Sequence, residues 1–146
     1  MTLQNLLAIQ SLMEFSAQRE DIQRLLAAAE RNLQDSGVAG ISDENRFDMA
    51  YKCVMQCSMA ALWANGYRTS TSKPGHHQTA IQTLGLTVAL DARTVVILDK
   101  LRKQRNINDY EGDPIPPSVV EECQRQARLL MEQVRAWLKD NRPDFC

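Results

Sequence analysis

The densest group of side chains able to bind or act on an anion lies between residues 102 and 110 of this 146-residue chain. Arg102 and Arg105 supply guanidinium groups, Asn106 adds an amide, and Asp109 and Tyr110 follow. A guanidinium stays charged at physiological pH, and its planar fork matches two oxygens of a phosphate. The segment therefore predicts a site that grips a phosphate or another anionic partner.

A purely structural role explains the same residues. Asp109 follows Arg105 by four positions, within side-chain reach on a helix, and cations near the C-terminus of a helix are favoured by its dipole. Asn106 suits a turn or an interhelix contact. Tyr110 suits packing with its hydroxyl at the rim of the core. The residues alone leave a binding site and an ion-paired helix end both open.

Apolar residues that recur at steps of three and four predict that helices position this segment. The stretch after Ser42 is apolar on nearly all sides, which indicates a buried central helix. We expect Asp91 to cap the helix that carries the two arginines and Gly112 to end it. No strand pattern is present. The sequence predicts an all-α protein, an up-and-down bundle of five to six helices forming one domain over residues 1–146.

Two further predictions concern the parts around that bundle. Residues 2–15 carry an apolar stripe that indicates a first amphipathic helix, and residues 67–75 have no pattern and indicate an exposed loop. The last helix is expected to begin at Pro116-Pro117, where a missing N–H has no consequence.

His76 and His77 are the only histidines of the chain and precede a short apolar-periodic helix. Adjacent residues point in different directions on a helix, so we do not expect them to share a metal ion, and solvated imidazoles are the simpler interpretation. The alternative is that one of them reaches the Arg105 cleft, across a dimer or within one chain, and supplies a proton donor. Arg68 in the preceding loop would add positive charge or remain solvated.

Composition limits the classes of function. A formal net charge of -1 argues against a general nucleic-acid binder, so any contact with RNA would be local. No apolar run approaches the length of a membrane span, and the N-terminus lacks a secretory pattern, so we expect a cytoplasmic protein without membrane contact. We expect no metal and no cofactor, and free thiols in place of disulfides. The four cysteines are Cys53, Cys57, Cys123 and Cys146.

The order of the helices and the segment 105–110, Arg-Asn-Ile-Asn-Asp-Tyr, resemble the HEPN superfamily of small, typically dimeric, all-helical domains. The motif of that family is an arginine, often followed by asparagine, and then a histidine a few residues later, between the last two long helices. Arg105 and Asn106 match this motif, and Tyr110 occupies the place of the histidine. The segments 66–68 and 75–77 resemble a subgroup with a polar loop before its short helix. The resemblance covers residues 20–138 by layout.

Many HEPN domains are metal-independent ribonucleases or partners of minimal nucleotidyltransferases in toxin–antitoxin systems. The resemblance implies that Arg105 would hold the scissile phosphate, with Arg102 and Asp109 in support. A phenol ordinarily has a pKa of about 10, against about 6.5 for an imidazole. Tyr110 would therefore donate hydrogen bonds or stack on a base and would not shuttle protons at neutral pH.

Two functions remain open at this point. One is an RNA-directed or toxin–antitoxin-type module, with or without activity as a metal-independent endoribonuclease. The other is a catalytically inert helical module that binds a protein such as a nucleotidyltransferase or a regulator, and a small-ligand pocket between helices is a third possibility. In each case we expect a homodimer joined through apolar helix faces.

Overall fold

The structure, a computed structural model, describes residues 1–146 and is predominantly helical. This confirms the all-α prediction, with seven α-helices in place of the expected five to six. The helices are α1 (Leu3–Ala8), α2 (Arg19–Asp35), α3 (Asp43–Ala64), α4 (His76–Gln82), α5 (Leu84–Thr87), α6 (Ala92–Glu111) and α7 (Pro117–Asn141). The extra helix arises because the short helix after the histidines is divided at Thr83 into α4 and α5. A 3-10 turn, Pro143–Phe145, ends the chain.

Helix α3 is the centre of the molecule, as its sequence predicts. Ser42 caps it by accepting a hydrogen bond from the backbone N–H of Asn45 at 3.2 Å. The helix packs against α2 and α7 along its length and also contacts α4, α5 and α6. Its apolar residues lie in one continuous buried cluster with those of the surrounding helices. A helix enclosed on most sides needs apolar residues around most of its circumference, which this segment has.

Helix α6 has the bounds that the sequence predicts. Asp91 caps it by accepting a hydrogen bond from the backbone N–H of Thr94 at 3.0 Å. Gly112 ends it in the left-handed conformation, with φ of 71°, which a residue without Cβ adopts without strain. Its buried residues are Leu98 and Leu101, both in the first half of the helix. The polar second half therefore lies at the edge of the core.

Two short strands correct the prediction that the chain has none. β1 (Leu12–Glu14) and β2 (Tyr67–Thr69) pair in antiparallel fashion, with Leu12 opposite Thr69. Three residues are too few to show the alternation that identifies a strand, so the pattern of the sequence could not reveal them. The pair ties the N-terminal segment to the chain that leaves α3.

The same strands correct the extent of the first helix and of the loop. Helix α1 ends at Ala8 and not near residue 15, because Gln10 adopts the left-handed conformation with φ of 64° and reverses the chain. The predicted loop over residues 67–75 begins with β2, and only its second part is irregular. None of the helices combines the length and apolar composition that crossing a membrane requires.

Candidate functional site

The Arg105 side chain lies between α6 and α3. Its Nε atom is 3.2 Å from Oδ2 of Asp109, one turn further along α6, and 3.7 Å from Oδ1 of Asp48 on α3. Its guanidinium carbon lies 5.4 Å from the centroid of the Tyr51 ring, within the range of a cation–π interaction. The side chain is 29% exposed. The guanidinium is therefore partly desolvated but still open to solvent.

One polar atom of Arg105 has no hydrogen-bond partner. Nε is buried, and its N–H makes no hydrogen bond even though two carboxylates lie within ion-pair distance. The distances and the missing hydrogen bond are compatible, because an ion pair needs only proximity while a hydrogen bond also needs the N–H to point at its acceptor. Buried donors without acceptors are uncommon in folded proteins, and they are a reason to look for a ligand.

A second contact continues the cluster from Tyr51 to the histidines. The hydroxyl of Tyr51 lies 3.3 Å from Nδ1 of His77, at the start of α4. The rings of His76 and His77 meet edge to face with centroids 4.7 Å apart. His77 is half-buried and His76 is exposed. Tyr51 on α3 thus contacts both a histidine from α4 and an arginine from α6.

Burial and neighbouring cations shift the protonation equilibria of this cluster. Burial raises the pKa of Tyr51 to about 12, although the charges of Arg105 and Arg102 oppose the shift. Burial of the ring lowers the pKa of His77, and the repulsion from His76, Arg105 and Arg102 lowers it further. At neutral pH the phenol therefore keeps its proton and the His77 imidazole is uncharged.

Arg102 is already committed to a partner within the chain. Its Nε donates a hydrogen bond of 2.8 Å to Oδ1 of Asp99, and the two side chains are 14% and 16% exposed. Burial raises the pKa of Asp99, but the hydrogen bond and charge of Arg102, with help from Lys103, outweigh it and the pKa is lowered overall. Arg102 therefore belongs to an ion pair within α6 and contributes its charge to the cluster from a distance.

No protein-family model, curated protein or solved structure gives a significant match to this chain.

The resemblance to HEPN domains consequently stays a prediction that depends on residues 105–110 and on the order of the helices. The all-helical fold agrees with that resemblance but is shared by many unrelated proteins, so fold alone does not decide the function.

The remaining predicted site residues, Asn106, Tyr110 and Arg68, make no hydrogen bond or ring contact with the Tyr51–His77 pair. Asn106 is half-buried on α6 and its amide makes no hydrogen bond within the chain. Tyr110 is 90% exposed in the last turn of α6 and makes no aromatic or hydrogen-bond contact with the cluster. Arg68 lies on β2, and its guanidinium carbon is 5.5 Å from the centroid of the Phe15 ring. Tyr51 contacts both Arg105 and His77, whereas Arg68 contacts Phe15.

Tyr51 and Asp48 are the two members of the cluster that sequence reasoning did not assign to the site. Both lie on α3, where Tyr51 follows the apolar periodicity and is easily taken for ordinary core. The available signal was its hydroxyl, because a tyrosine in a fully enclosed helix needs a hydrogen-bond partner. Asp48 gave a weaker signal, since Lys52 one turn later pairs with it at 3.8 Å and provides a local explanation.

The thiols form no part of this cluster. All four cysteines are free, and Cys53, Cys57 and Cys123 are buried while Cys146 is exposed. The neighbouring Cys53 thiol, together with burial, raises the pKa of the Cys57 thiol. Thiols with raised pKa values in the core behave as small apolar side chains. No group of three histidine, cysteine or acidic side chains is arranged to hold a metal ion.

The chemistry available to the cluster is that of an anion site. A phosphate oxygen placed near Arg105 would meet a partly desolvated cation and a buried N–H that makes no hydrogen bond. Hydrogen bonds between charged groups in such a setting are stronger than those between neutral ones. Asp48 and Asp109 compete with the anion for Arg105, so the site favours ligands that can displace exposed carboxylates.

Proposed function

We propose that this chain is a HEPN-like, RNA-directed module that binds an RNA phosphodiester at the cluster of Arg105, Tyr51 and His77. The observation that carries the proposal is the buried Nε–H of Arg105, which makes no hydrogen bond and belongs to a side chain packed on Tyr51, the residue that contacts His77. A phosphodiester supplies both the missing acceptor and the negative charge. A toxin–antitoxin-type role, a nucleotidyltransferase-type partner and a cytoplasmic location are further parts of this proposal.

Two more side chains support RNA over a free phosphate. Tyr110 presents an almost fully exposed ring on the same helix as Arg105, and exposed aromatic rings stack on unpaired bases. Asn106 presents an amide without an intramolecular partner next to Arg105. The near-neutral charge of the chain limits the electrostatic contribution, so we expect binding to single-stranded RNA that depends on a few local contacts.

The test measures binding and cleavage of single-stranded RNA by the purified full chain in EDTA. The variants are Arg105→Ala and, as a matched control, Arg125→Ala, which removes an arginine from an exposed ion pair with Glu122 on α7. We expect Arg105→Ala to lose at least tenfold in affinity, as is typical for a desolvated charged hydrogen-bond donor. Arg125→Ala should change affinity by no more than about twofold.

The cleavage assay then separates a nuclease from a binding module. Cleavage by the wild type that is lost in both Arg105→Ala and His77→Gln would assign metal-independent endoribonuclease activity to this cluster. Binding without cleavage would assign an RNA-binding module. Equal binding by wild type and Arg105→Ala, or no binding at all, would refute the RNA-directed proposal.

A separate feature concerns the homodimer that we expect for either function. An apolar groove of about 500 Å³ lies between α1, α4, α5 and α6, and Leu86 and Val96 at its edge are exposed. We propose that a second copy of this chain covers the groove in a homodimer, because two-fold dimers are the commonest assemblies and join the same surface patch on both subunits. Apolar surface exposed on a groove is typical of interaction sites.

The homodimer at this groove is tested by measuring the oligomeric state of the chain. Leu86→Lys should convert a dimer to a monomer in sedimentation or light-scattering measurements, because it places a charge in an apolar contact. Leu129→Lys on α7 is the matched control, since Leu129 is 44% exposed against 45% for Leu86. A monomeric wild type, or a dimer that survives Leu86→Lys, would contradict the homodimer at this groove.

A further inference from the structure

The hydroxyl of Tyr51 makes one hydrogen bond, and it is with Nδ1 of His77 at 3.3 Å. Tyr51 is only 1% exposed, so solvent does not offer an alternative acceptor. Either atom of this pair can carry the shared proton, and the choice decides which ring nitrogen of neutral His77 carries the hydrogen. The arrangement of the pair settles that choice.

The phenol has to be the donor. Its proton stays in place at neutral pH, because burial raises the pKa of Tyr51 to about 12. If Nδ1 of His77 also carried a proton, the Tyr51 hydroxyl would accept that hydrogen bond and its own buried O–H would have no acceptor. A buried donor left unsatisfied is unfavourable, so Nδ1 is the bare nitrogen and accepts from the hydroxyl.

We infer that Tyr51 is a positioning residue that holds uncharged His77 in the tautomer with its hydrogen on Nε2. The hydrogen bond made by one ring nitrogen of a histidine generally sets the state of the other. Nε2 makes no hydrogen bond within the chain, so its N–H is available to a ligand. The assignment of a phosphate oxygen as the ligand of Nε2–H rests on the function proposed above. The tautomer rests on the contact between Tyr51 and His77 and not on that function.

Burial of the ring is the main reason that the pKa of His77 is lowered, and its neighbours lower it further. His76 packs against it from α4 with ring centroids 4.7 Å apart, and Arg105 and Arg102 act on it from α6. Tyr51 is the group that faces it from α3. The two arginines oppose a second proton on the ring and Tyr51 already occupies Nδ1, so the geometry and the charges favour the same state.

This tautomer determines what His77 can do with RNA. An Nε2 that already carries a hydrogen cannot remove a proton from a ribose 2′-OH. It can donate a hydrogen bond to a phosphate oxygen, as neutral imidazoles do where charge develops on oxygen. His77 therefore joins Arg105 as a hydrogen-bond donor, and the cluster binds a phosphodiester through donors from two helices without using His77 as a base.

The tautomer can be read directly by two-bond ¹H–¹⁵N correlation spectra of the histidine rings in the full chain at pH 7.5. We expect Nδ1 of His77 to resonate as an unprotonated nitrogen and Nε2 as a protonated one. His77→Gln and His76→Gln assign the two sets of signals. A protonated Nδ1 in the wild type would overturn the inference without any variant of Tyr51.

Tyr51→Phe tests whether the hydroxyl is the cause. The phenylalanine ring keeps the packing, and we expect a mixture of tautomers and a rise in the pKa of His77, because the hydrogen bond that stabilises the neutral ring is gone. Unchanged His77 signals in folded Tyr51→Phe would overturn the role of Tyr51. Thermal unfolding of this variant checks that the fold is kept.

Addition of inorganic phosphate and then of a single-stranded RNA oligonucleotide tests the positioning role of Tyr51 separately from RNA binding at the cluster. We expect the Nε2–H signal to shift with either ligand, and Tyr51→Phe to weaken RNA binding roughly two- to tenfold, the effect of one ordinary hydrogen bond. The predicted tautomer without any shift on adding RNA would support the positioning role and refute RNA binding at this cluster. A shift with phosphate but not with RNA would limit the ligand to small anions.

Discussion

The guanidinium carbon of Arg105 lies 5.4 Å from the centroid of the Tyr51 ring, so a cation from α6 sits over an aromatic ring of the central helix α3. Asp48, one turn before Tyr51 on α3, is also within ion-pair distance of Arg105. These contacts fix the polar end of α6 against α3 where apolar packing has ended. The buried Nε–H of Arg105 makes no hydrogen bond, although Nε lies 3.2 Å from a carboxylate oxygen of Asp109 in the ion pair that a structural role predicts.

The two arginines of α6 should therefore differ in their effect on stability. We expect Arg102→Ala to lower the free energy of unfolding by about 1–3 kcal/mol, because it leaves the half-buried carboxylate of Asp99 without its hydrogen-bond donor. Arg105→Ala should cost less than about 1 kcal/mol, since it removes no hydrogen bond and its carboxylate neighbours are more exposed. Urea denaturation of both variants measures the difference. Equal losses would show that Arg105 is as structural as Arg102.

The lowered pKa of His77 predicts a dependence of stability on pH. Burial of the ring is the main cause, followed by repulsion from His76, Arg105 and Arg102. Between the lowered pKa and the ordinary value of 6.5, the unfolded chain binds a proton at this position and the folded chain does not. The free energy of unfolding should therefore fall as the pH drops below 6.5.

His77→Gln should remove much of the fall in the free energy of unfolding below pH 6.5, which denaturant titrations at a series of pH values would measure. His76→Gln is the matched control and should leave most of it, because the first cause of the shift is burial of His77 itself. If His77→Gln and the wild type lose stability in parallel below pH 6.5, the titrating group lies elsewhere.

The sequence predicted the parts of the fold that depend on local chemistry or on a long periodic pattern. The apolar circumference of α3, the cap at Asp91 and the end of α6 at Gly112 are confirmed because each depends on local chemistry or on a long periodic pattern. The pairing of Leu12 with Thr69 was missed because it joins two three-residue segments far apart in the chain. No local pattern records such a contact.

The candidate site likewise combines features that the sequence indicated with features that depend on tertiary packing. The sequence indicated that α6 carries Arg102 and Arg105 to the edge of the core, and it raised the possibility that a histidine reaches Arg105. It could not choose between His76 and His77, because that depends on how α4 packs against α3. It also assigned Tyr51 to the core, since a buried hydroxyl is recognised only when its partner is known.

The left-handed conformation of Gln10 accounts for the early end of α1 and can be tested by substitution. Gln10→Gly should raise the free energy of unfolding by about 0.5–1 kcal/mol, because φ of 64° strains a residue with a Cβ and not a glycine. Gln4→Gly, in the helical part of the same segment, should lower it by roughly 1 kcal/mol. Thermal or urea unfolding of both variants gives the comparison. A loss in both would mean that residue 10 is not strained.

Tyr110 provides a prediction that separates base stacking from phosphate binding. Its ring is 90% exposed, so Tyr110→Ala should change the free energy of unfolding by less than about 0.5 kcal/mol. If the ring stacks on a base, the same change should weaken binding to single-stranded RNA by about 1–3 kcal/mol, a loss that ranges from roughly fivefold to more than a hundredfold.

Tyr110→Phe is the matched variant for this test, because it keeps the ring and removes only the hydroxyl. Fluorescence anisotropy with a labelled oligonucleotide compares the three proteins, and binding of inorganic phosphate followed by NMR serves as the reference. Stacking predicts that Tyr110→Phe binds RNA like the wild type and that all three bind phosphate equally. If Tyr110→Ala binds RNA as tightly as the wild type, RNA bound at Arg105 does not contact Tyr110. Tyr110 would then not replace the histidine of the HEPN motif in function.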